Sequence, residues 1–100
     1  MMQRYQSLDD LWCEWGSATT AIMKHIESNE PIDNRTGWNF DKAMVVSHHQ
    51  DGYSVTIIHT AYDPSVRGSV LLSVQAKVCD SGEINVTTVK RALVEQPEQW

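Results

Sequence analysis

Apolar residues recur every three to four positions in the first third of the chain and alternate with polar residues after it. This change of period predicts an N-terminal amphipathic helix followed by β-strands. We expect the helix at about residues 7–28, because Ser7-Leu8-Asp9-Asp10 resembles a capping box and Pro31 cannot continue the pattern. The side of the helix expected to be buried consists of Leu8, Leu11, Trp12, Trp15, Thr19, Ile22, Met23 and Ile26.

Four strands are predicted after a connector rich in turn-forming residues, which covers residues 30–37. The alternating pattern places the strands at about 40–49, 53–61, 69–79 and 83–89, with a longer loop at 61–68. Residues 89–95 are compatible with a continued strand or with a short C-terminal helix. Residues 96–100 are expected to form a flexible tail.

The first strand connection contains Asp51-Gly52, a pair that is typical of a two-residue hairpin turn. A turn at these two residues would pair Val46 with Ile57 on one face of the hairpin. On the opposite face it would pair Val45 with Ile58. The predicted register therefore keeps apolar side chains next to one another on both faces.

The last strand connection contains Asp80-Ser81-Gly82 and allows two registers. A strict two-residue turn would pair Val78 with Asn85. A three-residue loop with Gly82 in the left-handed conformation would instead pair Val78 with Ile84, so that two apolar side chains meet. We expect the three-residue loop with its bulge.

These elements predict an α+β fold in a single domain, residues 1–100, in which the N-terminal helix packs on a four-stranded antiparallel meander. A length of 100 residues leaves room for one core. Hydrophobic residues make up 41% of the chain, which is enough to build that core without a disulfide or a metal.

The balance of charge bears on the class of partner. The chain has 13 acidic and 8 basic side chains, which gives a formal net charge of -5. Such a chain is repelled by the phosphate backbone of nucleic acids, and the basic residues are scattered along the sequence. We therefore expect no direct binding of nucleic acid.

The sequence also indicates a compartment. No apolar stretch approaches the roughly 20 residues that span a bilayer, and the first residues lack the apolar run of a signal peptide. Cys13 and Cys79 are far apart and belong to no CxxC pair, which is typical of free thiols in a reducing environment. We expect a cytoplasmic protein with no membrane partner.

No catalytic residue, cofactor or metal site is predicted. His48 and His49 should point to opposite faces of the sheet, and His25 lies on the helix, so the histidines lack the spacing of a metal site. Cys13 is expected on the solvent side of the helix with no base beside it. The chain also lacks a glycine-rich loop for nucleotide phosphates.

The outer face of the predicted sheet, opposite the helix, is the first candidate for binding. It combines an apolar row with hydroxyl and amide side chains and has few charges, a composition typical of a surface that a partner covers. The tail adds an aromatic residue that either docks on the domain or anchors a partner. The predicted partner-binding residues are Val45, His49, Thr56, Ile58, Leu71, Ser73 and Trp100.

Size, acidity and the lack of catalytic motifs favour a small non-enzymatic protein-binding module. Such a module acts by occupying a surface of a larger protein, as an inhibitor, an immunity protein or a phage or mobile-element product does. Self-association through the same face is a related prediction. The alternative is a small-ligand-binding or enzymatic α+β domain with its site between helix and sheet, near His48, His59 and Tyr53.

Overall fold

The computed structural model describes residues 2–5, 8–32 and 44–94, and the side chains over 10–32 and 45–94. The strands form one antiparallel sheet in chain order. The predicted α+β fold, a helix packed on an antiparallel meander, is confirmed. The elements in chain order are β1 (Met2–Tyr5), α1 (Leu8–Asn29), β2 (Met44–His49), β3 (Gly52–Asp63), β4 (Gly68–Cys79) and β5 (Ile84–Leu93).

Strand β1 is an addition to the four predicted strands. It pairs antiparallel with β2, with Gln3 opposite Val46. A segment of four residues is too short to show a period, so the hydrophobic pattern gave no sign of it. The pairing satisfies backbone groups of β2 that would otherwise form an open edge of the sheet.

The hydrophobic core lies between α1 and the inner face of the sheet, which is the face that α1 covers. Burying each large side chain of this kind contributes roughly 1.5–3 kcal/mol. The buried core residues are Leu11, Ala18, Ile22, Ile26, Val46, Val55, Ile57, Val70, Leu72, Val74, Ala76 and Val78.

The buried side of α1 is the predicted one at Leu11, Thr19, Ile22 and Ile26, but the helix has a kink that the pattern did not indicate. The backbone of Trp15 is non-helical, with φ of -126° and ψ of 39°, just before the pair Gly16-Ser17. Thr19 donates a hydrogen bond from its hydroxyl to the Trp15 carbonyl at 2.9 Å, which satisfies an acceptor at the kink. The prediction for Trp12 was wrong: this residue is 45% exposed, and the non-helical backbone of Trp15 interrupts the regular period between it and the later turns.

The predicted register of the first hairpin was also wrong, by two residues. Val46 pairs with Val55, and the turn consists of Gln50 and Asp51. The reason is Gly52, which lies inside β3 opposite β4: a Cβ there would be 2.1 Å from the Val78 carbonyl oxygen. The glycine is used for close approach of two strands, and a shift of two residues leaves every side chain on its predicted face.

The last hairpin has the predicted register. Val78 pairs with Ile84, and Gly82 has a positive φ of 94°. The Gly82 amide donates to the Cys79 carbonyl at 2.8 Å and closes the loop. Residues up to Leu93 continue β5 as a strand, so the structure shows no C-terminal helix over the described part of 89–95.

Strands β3 and β4 extend into the segment expected to be a loop. β3 continues to Asp63, and four residues, 64–67, make the turn to β4. One carboxylate oxygen of Asp63 accepts hydrogen bonds from the Ser65 amide at 2.8 Å and from the Ser65 hydroxyl at 2.6 Å. Arg67 completes the turn with a φ of 54°. The hydrogen bonds between Asp63 and Ser65 therefore stabilise a turn of four residues, shorter than the loop at 61–68 that the composition indicated.

Some predictions concern residues outside the described part of the chain. They are the capping hydroxyl of Ser7, the burial of Leu8, the connector over 33–37, the start of the first predicted strand at 40–43, the end of the undecided segment at 95, and the tail at 96–100 with Trp100.

The two hairpin glycines differ in what an added methyl group would meet. Gly52→Ala is expected to lower the free energy of unfolding by about 2–3 kcal/mol, because the Cβ would collide with the Val78 carbonyl. Gly82→Ala meets no atom within 4 Å and should cost only the strain of a positive φ, about 1 kcal/mol. Urea unfolding of both variants measures the difference, and equal losses would contradict the register of the first hairpin.

Candidate functional site on the outer face of the sheet

The face of the sheet opposite α1 is called the outer face. Besides the sheet, the described chain contains α1 and the residues that follow it to Ile32. Helix α1 and Ile32 both pack on the inner face of the sheet. Alternation along β2 to β5 assigns the outer positions. They are Val45, Ser47, His49, Ser54, Thr56, Ile58, Thr60, Tyr62, Ser69, Leu71, Ser73, Gln75, Lys77, Cys79, Asn85, Thr87, Lys90 and Ala92.

The predicted apolar row on this face is a diagonal. Because the first hairpin is shifted, Val45 lies opposite Thr56 and not opposite Ile58. Ile58 is two positions further along β3, and Leu71, opposite Thr60, is two positions further again. Diagonal neighbours on a sheet lie about 7–8 Å apart, within contact distance of long side chains. The three residues therefore form an apolar band that crosses three strands obliquely.

Charge is sparse on the outer face of β2 to β5. Its two charged side chains are Lys77 and Lys90, and none of its outer positions is Asp or Glu. The whole chain has a net charge of -5, so its acidic residues lie elsewhere. The outer face thus differs in composition from the rest of the molecule.

Most of the predicted partner-binding residues on this face are half-buried. Val45, Thr56, Ile58, Leu71 and Ser73 are each partly covered by their neighbours on the sheet. Such side chains lose little rotational freedom when a partner covers them, because the sheet already holds them in place.

Among the described residues of the predicted set, His49 is the exposed one. Its Nε2 atom lies 2.9 Å from the Ser54 hydroxyl oxygen, and Ser54 is only 3% exposed. The two residues are diagonal neighbours, since His49 pairs with Gly52 and Ser47 pairs with Ser54. This hydrogen bond fixes the imidazole against the outer face near the first hairpin turn.

The residues of the alternative site between helix and sheet lie far apart in the structure. His48 lies opposite Tyr53, and His59 is six residues further along β3, about 20 Å away at 3.3 Å per residue. His48 is exposed, although the alternative site was expected between helix and sheet, whereas His59 is fully buried. The three residues therefore do not surround one cavity.

An aromatic cluster lies at the hairpin end of the inner face. The Trp15 ring centroid is 4.5 Å from that of Tyr53 and 5.4 Å from that of His48. These are the distances of tilted and edge-to-face aromatic contacts. The cluster holds the kinked part of α1 against β2 and β3.

A charged cluster at the other end of the sheet was not predicted. Arg91 on β5 forms ion pairs with Asp63, at the end of β3, and with Glu30, just after α1, the latter at 2.8 Å. The Thr88 hydroxyl donates to the second oxygen of Glu30 at 2.9 Å. The His25 Nε2 atom lies 3.1 Å from the same hydroxyl oxygen, so His25 is the donor in that contact.

This cluster joins the ends of three elements that are far apart in sequence. Asp63 is fully buried, and Glu30 and Arg91 are 12% and 32% exposed. In the sequence, Asp63 had only the signature of a turn residue next to Pro64, and Arg91 fell in the segment of undecided structure. No local pattern links residues that meet only in the folded sheet.

Within the described residues, no group of three or more His, Cys, Asp and Glu side chains is arranged to hold a metal ion. Cys13 is exposed, Cys79 is half-buried, and both are free thiols. The described helix lacks the apolar length needed to cross a membrane. No protein-family model, curated protein or solved structure matches this chain.

Proposed function

We propose that this chain is a small, acidic, non-enzymatic protein-binding module that acts by occupying a surface of a larger protein through its outer face. The observation that carries the proposal is the composition of that face. It combines the oblique band of Val45, Ile58 and Leu71 with hydroxyl and amide groups and has no carboxylate on β2 to β5.

The apolar band supplies the affinity in this proposal. Apolar area removed from water contributes about 25 cal/mol per Å², and the half-buried side chains of Ile58 and Leu71 still have area to lose. The band is central in the sheet, so surrounding polar side chains exclude water from it once a partner is bound. This is the arrangement of an interface core with a polar rim.

The polar side chains supply the specificity. Thr56 and Ser73 border the band on neighbouring strands and present hydroxyl groups that both donate and accept hydrogen bonds. Lys77 and Lys90 favour a partner surface with some negative charge, because the outer positions of β2 to β5 contain no Asp or Glu. A sheet face with these groups suits a folded protein partner better than a small ligand, which needs a concave site.

The class of module that we propose is an inhibitor, an immunity protein or a phage or mobile-element product. The free thiols of Cys13 and Cys79 support a reducing compartment, the cytoplasm. The net charge of -5 disfavours nucleic acid as the direct partner.

The test is capture from a lysate of the native host with tagged wild-type protein and matched variants. Ile58→Glu and Thr56→Lys are each expected to weaken retention of the specific partner at least about tenfold, because each places a charge within the interface core. Val66→Glu is the control, since Val66 is 49% exposed in the β3–β4 turn and lies off the outer face. Equal retention by Ile58→Glu and Val66→Glu would exclude the outer face as the binding surface.

A further inference from the structure

Strand β5 forms one edge of the sheet and carries unusual exposed apolar area. It is ten residues long, pairs with β4 on one side and has no described strand on the other. Ile84, Val89 and Leu93 are 37%, 58% and 63% exposed. Long edge strands with exposed apolar side chains are sites where a further strand adds to a sheet.

A hydrogen bond just before β5 shows which of its backbone groups face the open edge. The Cys79 amide donates to the Glu83 carbonyl at 2.9 Å, so these residues form a hydrogen-bonded pair. Because such pairs alternate along an antiparallel ladder, Asn85 and Thr87 also bond to β4. The amide and carbonyl groups of Ile84, Val86 and Thr88 therefore point away from the sheet.

A bulge limits the segment that can accept another strand. The pairing of β4 with β5 shifts by one residue between Ser73 and Val74, and Val89 is the extra residue on β5. A bulge interrupts the regular spacing of edge groups. The regular part of the edge is therefore Ile84–Thr88.

We infer that two copies of this chain associate edge to edge through Ile84–Thr88 of β5, antiparallel about a two-fold axis at Val86, to form one continuous ten-stranded sheet. In this register the outward groups of Ile84 bond to those of Thr88 in the second copy. The outward groups of Val86 bond to their own counterparts. Every outward backbone group of the segment is then satisfied.

The charges at the two ends of the segment favour a second copy of this chain as the added strand, and they favour the antiparallel arrangement. Glu83 precedes the segment and Lys90 follows it. An antiparallel two-fold pairing places Glu83 of each copy opposite Val89 of the other copy. Lys90 of that other copy is then only one residue away from Glu83. This gives two opposite-charge contacts per dimer, whereas a parallel pairing would place like charges together.

The dimer edge and the apolar band of the proposed binding face are tested at different residues, so the two proposals fail separately. Ile58→Glu changes the outer face and should leave association through β5 intact. Ile84→Lys changes the edge: it introduces a charge opposite Thr88 and diagonal to Val86 of the second copy, so it should weaken dimer formation. The same variant should retain a partner bound on the outer face.

Sedimentation equilibrium of the wild-type chain from low to high micromolar concentration measures the association. We expect a reversible dimer for wild type, at least about tenfold weaker association for Ile84→Lys, and no change for Val66→Lys. Circular dichroism confirms that each variant is folded. A wild-type chain that remains monomeric throughout, or a dimer that Ile84→Lys leaves unchanged, would overturn the inference.

A cross-link tests the register directly. In the proposed dimer Asn85 lies opposite Thr87 of the second copy, at the spacing of about 4.5 Å between Cα atoms of a non-hydrogen-bonded pair. A disulfide fits that spacing. Asn85→Cys with Thr87→Cys, in a background with Cys13→Ser and Cys79→Ser, should give a covalent dimer on mild oxidation. Val66→Cys in the same background should not, and equal yields would contradict the register.

Discussion

Ile57→Glu is expected to abolish the folded state, whereas Ile58→Glu is expected to leave it intact. Ile57 is fully buried in the core between α1 and the sheet, and Ile58 is half-buried on the outer face. A carboxylate at position 57 would have to be buried without a partner or force the core open, at a cost of about 5 kcal/mol or more. At position 58 it reaches solvent, and the change in stability should stay within about 1 kcal/mol.

Circular dichroism and thermal melting compare these adjacent variants. The expected outcome is a flattened far-ultraviolet signal for Ile57→Glu and a near wild-type melting temperature for Ile58→Glu. The same pair then serves the binding experiments, because Ile58→Glu is folded and its loss of binding reports on the outer face. A folded Ile57→Glu would show that the assignment of inner and outer faces along β3 is wrong.

Arg91→Ala is expected to lower the free energy of unfolding by about 3 kcal/mol. The substitution leaves Asp63 fully buried without its ion-pair partner, and Glu30 keeps only its hydrogen bond from Thr88 on β5. Removing one member of a buried pair costs about 3–5 kcal/mol, and the lower end applies because Arg91 is 32% exposed. Urea unfolding measures the loss.

Two controls separate this ion pair from a general effect of losing a positive charge. Lys90→Ala removes the neighbouring, exposed charge and should change stability by no more than about 0.5 kcal/mol. Asp63→Asn combined with Arg91→Ala should be more stable than Arg91→Ala alone, because no unpaired buried carboxylate remains. A double variant that loses as much as the sum of both single variants would contradict the ion-pair explanation.

Local signals predicted the elements of this fold better than they predicted the contacts between them. Gly82 set the register of the last hairpin because its left-handed conformation is required by the loop itself. Gly52 misled the prediction for the first hairpin, because its position is determined by the approach of β4 at Val78. That contact is formed by a strand that follows later in the chain and leaves no mark in the turn sequence.

The helix shows the same limit. Its extent was predicted from capping and periodicity, but the kink at Trp15 is sustained by a side-chain bond from Thr19 and by the neighbouring Gly16. A uniform helical projection therefore placed Trp12 on the buried side, where the structure leaves it exposed. Periodicity assigns faces reliably only while the backbone stays regular.

The outer face could be predicted because alternation depends on the strands and not on their register. A shift of two residues kept Val45, Thr56 and Ile58 on one face and changed only their mutual alignment. The cluster of Arg91, Asp63 and Glu30 could not be predicted in the same way. Its members meet only after β3, β5 and α1 have been brought together.

The outer face as the binding surface is tested most directly by amide chemical-shift mapping of the labelled chain with the partner captured from the lysate. The proposal predicts shifts that centre on Thr56, Ile58, Leu71 and Ser73 and fade toward the exposed side of α1. Shifts centred on α1, with those four amides unchanged at saturation, would contradict it.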